Sequence, residues 1–433
     1  MTRLGLWLDE REVGWLRRID DERPGQRLTL GYLERWVAEP LTHPLATSLP
    51  LPPRGGPGEE IAGDAVLSFF DNLLPEGEAR VSTFAALGLS SDDLWGALSL
   101  MGRDVAGALR VIDDEAQRDH GGRGAAPMQR HISRDELSER IRHRDTQPFA
   151  VWDGRVRGAL PGRQDKLGVY VDRSDWSLVD GPQMASTHVL KPAPVEPALS
   201  DRPFNEFFCM RLAERVGLDV ARVELHHVPE PVLLVQRFDR QRLKDGRVRR
   251  LHAIDACQAL GVRAQEQRTV SSAELFGLLR HSPTPLVDSR ALLRWLIFQR
   301  LIGNSEARAK DLAFHVDHGG LRVAAACDLA CMPALGVREA HAIDMGGVSD
   351  ALRIDEVAWV EFARRGGVAP RNLSLELRRM CELVRTQAEA LGETLAQEVP
   401  RRVLDGILSC ILPACERQVA MAASIPKTDV DSS

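Results

Sequence analysis

The apolar positions of this chain change their period along its length, and that change divides it. Near the N-terminus the spacing is short: Leu4, Leu6 and Leu8 alternate with other residues and predict a strand, whereas Ala65 to Leu74 takes helical spacing and stops at Asn72-Leu-Leu-Pro75. From Leu98 to Val111 the pattern alternates around Gly102 and Gly107 and predicts more strand. That G-x(4)-G spacing is no phosphate loop, because neither Lys-Ser/Thr nor a helix follows it; a turn and a close strand crossing suit these glycines better. Asp113 to Gln129 is polar and glycine-rich, with His120-Gly-Gly-Arg-Gly124 at its centre, and reads as a flexible connection.

A second pattern runs from about residue 130 to 250. A turn at Gly162 precedes a strand over 167–171, and a second strand, Thr187 to Leu190, runs into Lys191-Pro192. An amphipathic helix from Asn205 to Val216 ends at Gly217, and strands at Val223–His227 and Val232–Gln236 are joined through Pro229 and Pro231. This order is that of a nucleotide-binding kinase lobe, although many α+β domains share it. Beyond residue 251 helical spacing dominates, over Arg290–Ile302, Ser374–Leu395 and Val403–Leu412, and the residues after about Ser424 are polar and expected to fray. The fold class expected is α+β, with units at 1–112, 130–250 and 251–424. A length of 433 residues suits two or three such units better than one core.

Composition sharpens this in one respect. There are five lysines against 51 arginines (56 basic residues in all), so arginine stands almost wherever any cation would serve. Lys166, Lys191 and Lys310 sit in short polar clusters and mark places where a compact ammonium is needed and a planar fork does not fit, as in crowded phosphate sites. Lys244 and Lys427 are ordinary loop and tail residues. A net charge of −6 and a pI near 6.1 argue against a surface given over to nucleic acid. No run is long enough to cross a bilayer and the N-terminus turns acidic early, so the expected location is cytoplasmic, with no membrane contact. Seven cysteines without a C-x-x-C pair predict reduced thiols and no structural zinc, and His226-His227 and His341 lack partners at metal spacing.

The strongest local construction lies between Asp311 and Asp328. Strands over 312–316 and 321–325 flank Asp317-His-Gly-Gly320, a hairpin turn signal, so closing the hairpin is expected to set Asp311 and Asp328 face to face. Two carboxylates that close need a cation between them, and magnesium with a nucleotide phosphate is its natural identity. A plain surface hairpin capped by Asp311 fits the same residues. Just upstream, Gly303-Asn-Ser-Glu-Ala-Arg-Ala-Lys-Asp311 places Glu306, Arg308, Lys310 and Asp311 on one loop, the inventory of phosphoryl transfer: a base, cations and a metal ligand. A solvated helix end carries the same charges.

These motifs together resemble the HipA family of bacterial serine/threonine kinases, the toxin halves of toxin-antitoxin modules. The likeness spans nearly the whole chain: F-F-D-N-L-L-P-E-G from Phe69, G-R-D-V-A-G-A-L from Gly102, G-R-Q-D-K over 162–166, T-H-V-L-K-P to Pro192, N-E-F-F-C-M-R-L-A from Asn205, V-Q-R-F-D-R from Val235 and L-I-G-N-S-E-A-R-A-K-D to Asp311. The resemblance implies a mixed α/β N-terminal lobe with a small N-terminal subdomain and a mainly helical C-terminal lobe. It also implies ATP and Mg2+ as cofactors, a serine in a cytoplasmic protein such as an aminoacyl-tRNA synthetase as acceptor, and a HipB-like antitoxin through which alone DNA is contacted. Position by position, Gly162, Arg163, Gln164 and Lys166 would cover the phosphates, Lys191 would contact them, and Gln236, Arg237 and Phe238 would receive adenine through backbone groups. Glu306 stands at the catalytic aspartate, Asp311 at a metal-binding asparagine and Asp328 at the metal-binding aspartate.

The departures are grouped. The family's T-D-x-H-A-K-N reads S-E-A-R-A-K-D here, its Q-E-D reads Ala253-Ile254-Asp255, and its regulatory serine is Ala159. The alternative these changes define is a pseudokinase that binds nucleotide or an antitoxin-like partner without turnover.

Overall fold

In this computed structural model residues 3–19, 27–55, 59–113, 128–181 and 183–425 are described. The glycine-rich connection expected at 113–129, past Asp113 and up to 127, and Lys427 lie outside them. Contacts divide the chain into two units: residues 1–192, 226–264 and 314–320 form the first, and residues 193–225, 265–313 and 321–433 the second. The lysine-bearing strand and the helix that follows it in sequence therefore belong to different units.

The first unit holds two main sheets. In the first, β1 (Arg3–Leu8), β2 (Arg11–Ile19), β3 (Arg27–Tyr32), β4 (Ile61–Ala62) and β5 (Leu109–Asp113) take the order β4-β3-β2-β1-β5. The alternation that predicts β1 buries Leu4, Leu6 and Leu8. Residues 98–101, expected as strand, belong instead to a helix over Leu94–Met101, because Asp93 caps it by accepting the Gly96 N–H at 2.9 Å and Leu94, Ala97, Leu98 and Met101 fall on one buried face.

The second sheet uses β6 (Met128–His131), a small ribbon apart from it (β7, Val151–Trp152; β8, Arg155–Val156), then β9 (Leu167–Asp172), β10 (Asp175–Asp180), β11 (His188–Pro192), β12 (Val223–His227) and β13 (Pro231–Gln236). Its order is β12-β13-β11-β9-β10-β6. Leu167, Val169, Leu190, Val232 and Leu234 face a core completed by Phe149, Trp152 and Trp176. Strand pleating turns Lys191, next to Leu190, to the opposite face, where it is 3% exposed. β14 (Arg240–Arg242) and β15 (Val248–Arg250) form a ribbon, and β16 (Ala253–Asp255) precedes a short helix whose cap, Asp255, is boxed with Gln258.

Beneath β13 the first unit buries an ionic network. Asp239 accepts from Arg237 Nε and Nη2 at 2.9 and 2.7 Å and from the Gly107 N–H at 2.7 Å, and lies 2.9 Å from Arg240 Nη1. Asp104 accepts from Arg240 Nη2 at 2.9 Å and from Ser186 Oγ at 2.7 Å. Gly107, at φ +73°, admits no side chain, since a Cβ there would lie 2.4 Å from the Ala253 carbonyl oxygen. Burial opposes ionisation of both carboxylates, but the surrounding guanidiniums outweigh it: Asp104 falls to about 2 and Asp239 lower still.

His252, also in this unit, hydrogen-bonds the Leu45 carbonyl through Nε2 at 2.8 Å, and burial, with His43 nearby, lowers its pKa to about 3. Its folded pKa lies below the unfolded value near 6.5, so below that pH the unfolded chain binds a proton that the native state refuses. Native stability should therefore fall by about 1.4 kcal/mol per pH unit for this histidine alone as the pH drops from 6.5 towards 3. Denaturant titrations across that range should show the slope, and His252→Gln should flatten it.

The second unit is mainly helical. Its principal helices are Arg202–Arg215, Pro285–Leu301, Glu356–Arg365, Pro370–Thr394 and Arg401–Ser424. The last continues through Pro413 rather than stopping at Leu412. A mid-helix proline costs about 3 kcal/mol, but Ile411, Cys415 and Ala422 are buried beyond or beside it. Gln418 accepts from Trp359 Nε1 at 2.8 Å and the Ala422 carbonyl accepts from Ser374 Oγ at 2.6 Å, which fixes the distal half. The hairpin of β17 (Ala313–Asp317) and β18 (Gly320–Val323) appears where its turn signal stands, and below it the Ala324 N–H donates to the Ala313 carbonyl at 2.9 Å. No helix among the described residues is long and apolar enough to cross a membrane.

Candidate functional site

The first unit gathers the glycine-lysine loop and the lysine strand. Gly162, at φ +113°, bridges to Pro75, and its carbonyl accepts the Glu76 N–H at 3.0 Å, so the Asn72-Leu-Leu-Pro-Glu-Gly77 segment backs the loop. A Cβ at Gly162 would come within 2.7 Å of Lys166 Nζ. Lys166 donates to the Pro161 carbonyl at 2.6 Å and braces the loop from inside. Gln164 Nε2 reaches the carbonyl of Pro192, which follows Lys191, at 3.4 Å, so loop and strand meet; Arg163 is exposed at the tip.

The expected adenine segment divides. Gln236 is exposed and ends β13 opposite His188, and Phe238 is half-buried with its ring edge on His315, centroids 5.7 Å apart. Arg237 departs from the expectation: its N–H donates to the Thr187 carbonyl at 2.9 Å, and its guanidinium binds Asp239, Ser186 Oγ and the Val105 carbonyl inside the ionic network. Its side chain is a structural cation, and its backbone N–H is already engaged. Ala159 is buried and Gly158 stands where its Cβ would lie 3.1 Å from Gly168 Cα, so this stretch is packed tightly.

The second unit gathers the carboxylates. Helix Pro285–Leu301 ends in Gly303, whose turn is tied down by Asn304: its Nδ2 donates to Gln299 Oε1 at 2.9 Å and to the Asp328 carbonyl at 3.2 Å. This is how Asp328, 17 residues after Asp311, is held to the turn that carries Glu306, Lys310 and Asp311. Asp328 sits at φ +57°, a conformation that aspartate and asparagine tolerate better than most residues. Glu306 accepts from Arg202 Nη2 at 2.9 Å, and its side chain is 38% exposed. Lys310 is buried at 7% exposure.

The two changes at 308 and 311 answer one another. Asp311 Oδ2 accepts the Arg308 N–H at 2.9 Å, with Arg308 Nε 3.4 Å away, so the added negative charge meets an added positive one. Asp311 Oδ1 has no hydrogen-bond partner among the described residues. Arg202 and Asn304 escape sequence reasoning as site residues. Asn304 lies inside the motif, whereas Arg202 is more than a hundred positions away and gives no local signal.

The first unit holds a pleated sheet with a buried lysine beside a glycine loop, the second a tied turn bearing carboxylates, and each on its own is equipment of a kinase-type α+β protein. Comparison with known proteins makes the assignment. The chain matches the HipA N-terminal domain over residues 4–112 and the HipA-like C-terminal domain over residues 158–391. It is 33% identical over 403 residues to the Y4mE protein of Sinorhizobium fredii, covering 90% of this chain and 91% of that one. It is 28% identical over 295 residues to the serine/threonine-protein kinase toxin HipA of Shewanella oneidensis, 64% of each chain. The solved complex of Shewanella oneidensis HipA with HipB and operator DNA shares the fold at a TM-score of 0.84 and 24% identity, over 99% of this chain and 100% of that one. The chain belongs to the HipA family of kinase toxins.

Proposed function

We propose that this protein is an active protein serine/threonine kinase of the HipA type, transferring the γ-phosphate of ATP to a hydroxyl of another protein. The observation that carries this reading is the Arg308–Asp311 pair: the departures at these two positions offset one another in charge and leave one Asp311 oxygen for ligation. In this reading Glu306 takes the proton of the acceptor hydroxyl as its oxygen bonds to the γ-phosphorus and the bond from that phosphorus to the ADP oxygen breaks. Arg202 holds Glu306 in position. Lys191 and the loop from Gly162 to Lys166 serve the phosphates, and Gln236 and Phe238 supply the backbone groups for adenine without Arg237.

Asp311 Oδ1 and the Asp328 carboxylate are hard oxygen donors, and magnesium commonly takes one or two such protein ligands and completes its shell from phosphate and water. When bound, the ion neutralises charge on the β- and γ-phosphates. Lys310, compact and buried on the same turn, offsets the excess of carboxylate. A HipB-like DNA-binding antitoxin is the partner proposed, with DNA reached only through it, and a translation factor such as an aminoacyl-tRNA synthetase is the acceptor class proposed.

Transfer of labelled phosphate from ATP-magnesium to proteins of a cell extract tests the reading. Glu306→Gln should lower transfer by about 10²- to 10⁴-fold, the worth of a positioned general base, while leaving ATP binding by calorimetry unchanged. ATP binding with no transfer by the unmodified protein would establish the pseudokinase alternative instead, for which the occupation of Glu306 by Arg202 is the favouring observation.

A further inference from the structure

Helix Pro285–Leu301 faces a small pocket with Trp295, Gln299 and Arg300, closed by Ala307 and His341. Three of these lining residues carry four nitrogen atoms, Trp295 Nε1, Gln299 Nε2 and Arg300 Nε and Nη1, that are shut from solvent and have no hydrogen-bond partner among the described residues. Every one is a donor. The orientation of the Gln299 amide is fixed by chemistry: Asn304 Nδ2 must be a donor because it bonds the Asp328 carbonyl, so the Gln299 atom it also bonds is Oε1, and Nε2 turns the other way.

Charge agrees with donor count. Arg300 is 6% exposed, and burial brings its pKa down to about 9, still cationic at neutral pH. Asp344 and Asp350 act on it only from a distance, and the Asp344 oxygens already accept the N–H groups of Ser272 and Gly347. Burial, reinforced by Arg300, pushes His341 down to about 3, so it contributes no charge. One unmatched positive charge and four idle donors remain. A water accepts at most two hydrogen bonds and carries no charge; a small anion accepts from any side and answers the Arg300 charge as well. The cavity measures about 10 Å³, room for a single water-sized occupant and far too little for an organic ligand.

We propose that this pocket binds a small monovalent anion of the chloride class, and that the anion stiffens the turn from Gly303 to Ala307. Gln299 passes the effect on, since its Oε1 holds Asn304, which in turn holds the Asp328 carbonyl. Ala307 lines the pocket directly, and the Ala342 N–H beside His341 donates to the Ser305 carbonyl at 3.3 Å. The site itself stands on geometry alone; only its link to turnover rests on the kinase reading.

Thermal unfolding of the full chain, with sodium bromide replacing sodium gluconate at constant ionic strength, tests the site. The midpoint should rise by a few degrees and level off as bromide saturates, and Arg300→Met should abolish the rise. Bromide-soaked crystals of the unmodified protein should show an anomalous peak in contact with Arg300 and Trp295, a readout that does not depend on the variant folding. A midpoint indifferent to bromide, a rise that survives Arg300→Met, or no anomalous peak in the pocket overturns the proposal. Bromide binding without phosphate transfer would leave the site standing and remove the kinase reading; transfer without bromide binding would do the reverse.

Discussion

Asp328→Asn is expected to cut phosphate transfer by roughly a thousandfold or more, the scale of losing a charged group that stabilises a transferring phosphoryl. Asparagine is the informative substitute because position 328 sits at φ +57°, where alanine would add backbone strain to the loss of charge. The Asn304 bond goes to the backbone carbonyl of residue 328 and survives the change. A steep fall in the initial rate with an unfolding midpoint within a few degrees of the parent's would place the loss in the chemistry. Unaltered transfer would remove Asp328 from the metal site and with it the reading of the whole turn.

Asp239→Ala should give the largest loss of stability, about 3–5 kcal/mol, because it strands two buried guanidiniums. Asp239 is 5% exposed and is the carboxylate that Arg237 grips with two nitrogens, with Arg240 2.9 Å away. Without it Asp104 alone faces Arg237, Arg240 and Arg250, and the Gly107 N–H loses its acceptor. Denaturant unfolding should show a lower midpoint. The sign with pH follows from its depressed pKa: stability from Asp239 is complete above the unfolded value near 3.9 and is lost only as pH falls through the still lower folded value. The deficit should therefore be flat from pH 5 to 8, in contrast to the sloping contribution of His252.

Elements with a local cause were legible. The lysine strand, the Asp317-His-Gly-Gly320 turn and the long helices all announce themselves by period and turn chemistry, and Gly107 was rightly separated from a phosphate loop. What was missed depended mostly on partners far away in sequence. Arg237 sits in a motif that suggests an adenine hinge through backbone groups, and nothing local shows that its side chain is fixed by Asp104, 133 positions earlier, and by Asp239. Pro413 looks like a stop until the contacts of Trp359 and Ser374 are known. Residues 94–101 carry small and apolar residues whose short alternation hides a capped helix. Arg300 reads as one more basic residue at the end of an amphipathic helix; burial with no ion pair among the described residues sets it apart.

The ionic network has a consequence for how members of this family can be recombined. Asp104 and Gly107 fall inside the segment matched to the N-terminal domain, residues 4–112, whereas Arg237, Asp239 and Arg240 fall inside the segment matched to the C-terminal one, residues 158–391. A chimera cut at the glycine-rich stretch near residue 120 would exchange half of a charge-balanced knot. Such a graft would need its donor's counterparts of all five residues moved together, which makes these two segments a single heritable unit despite their separate profiles.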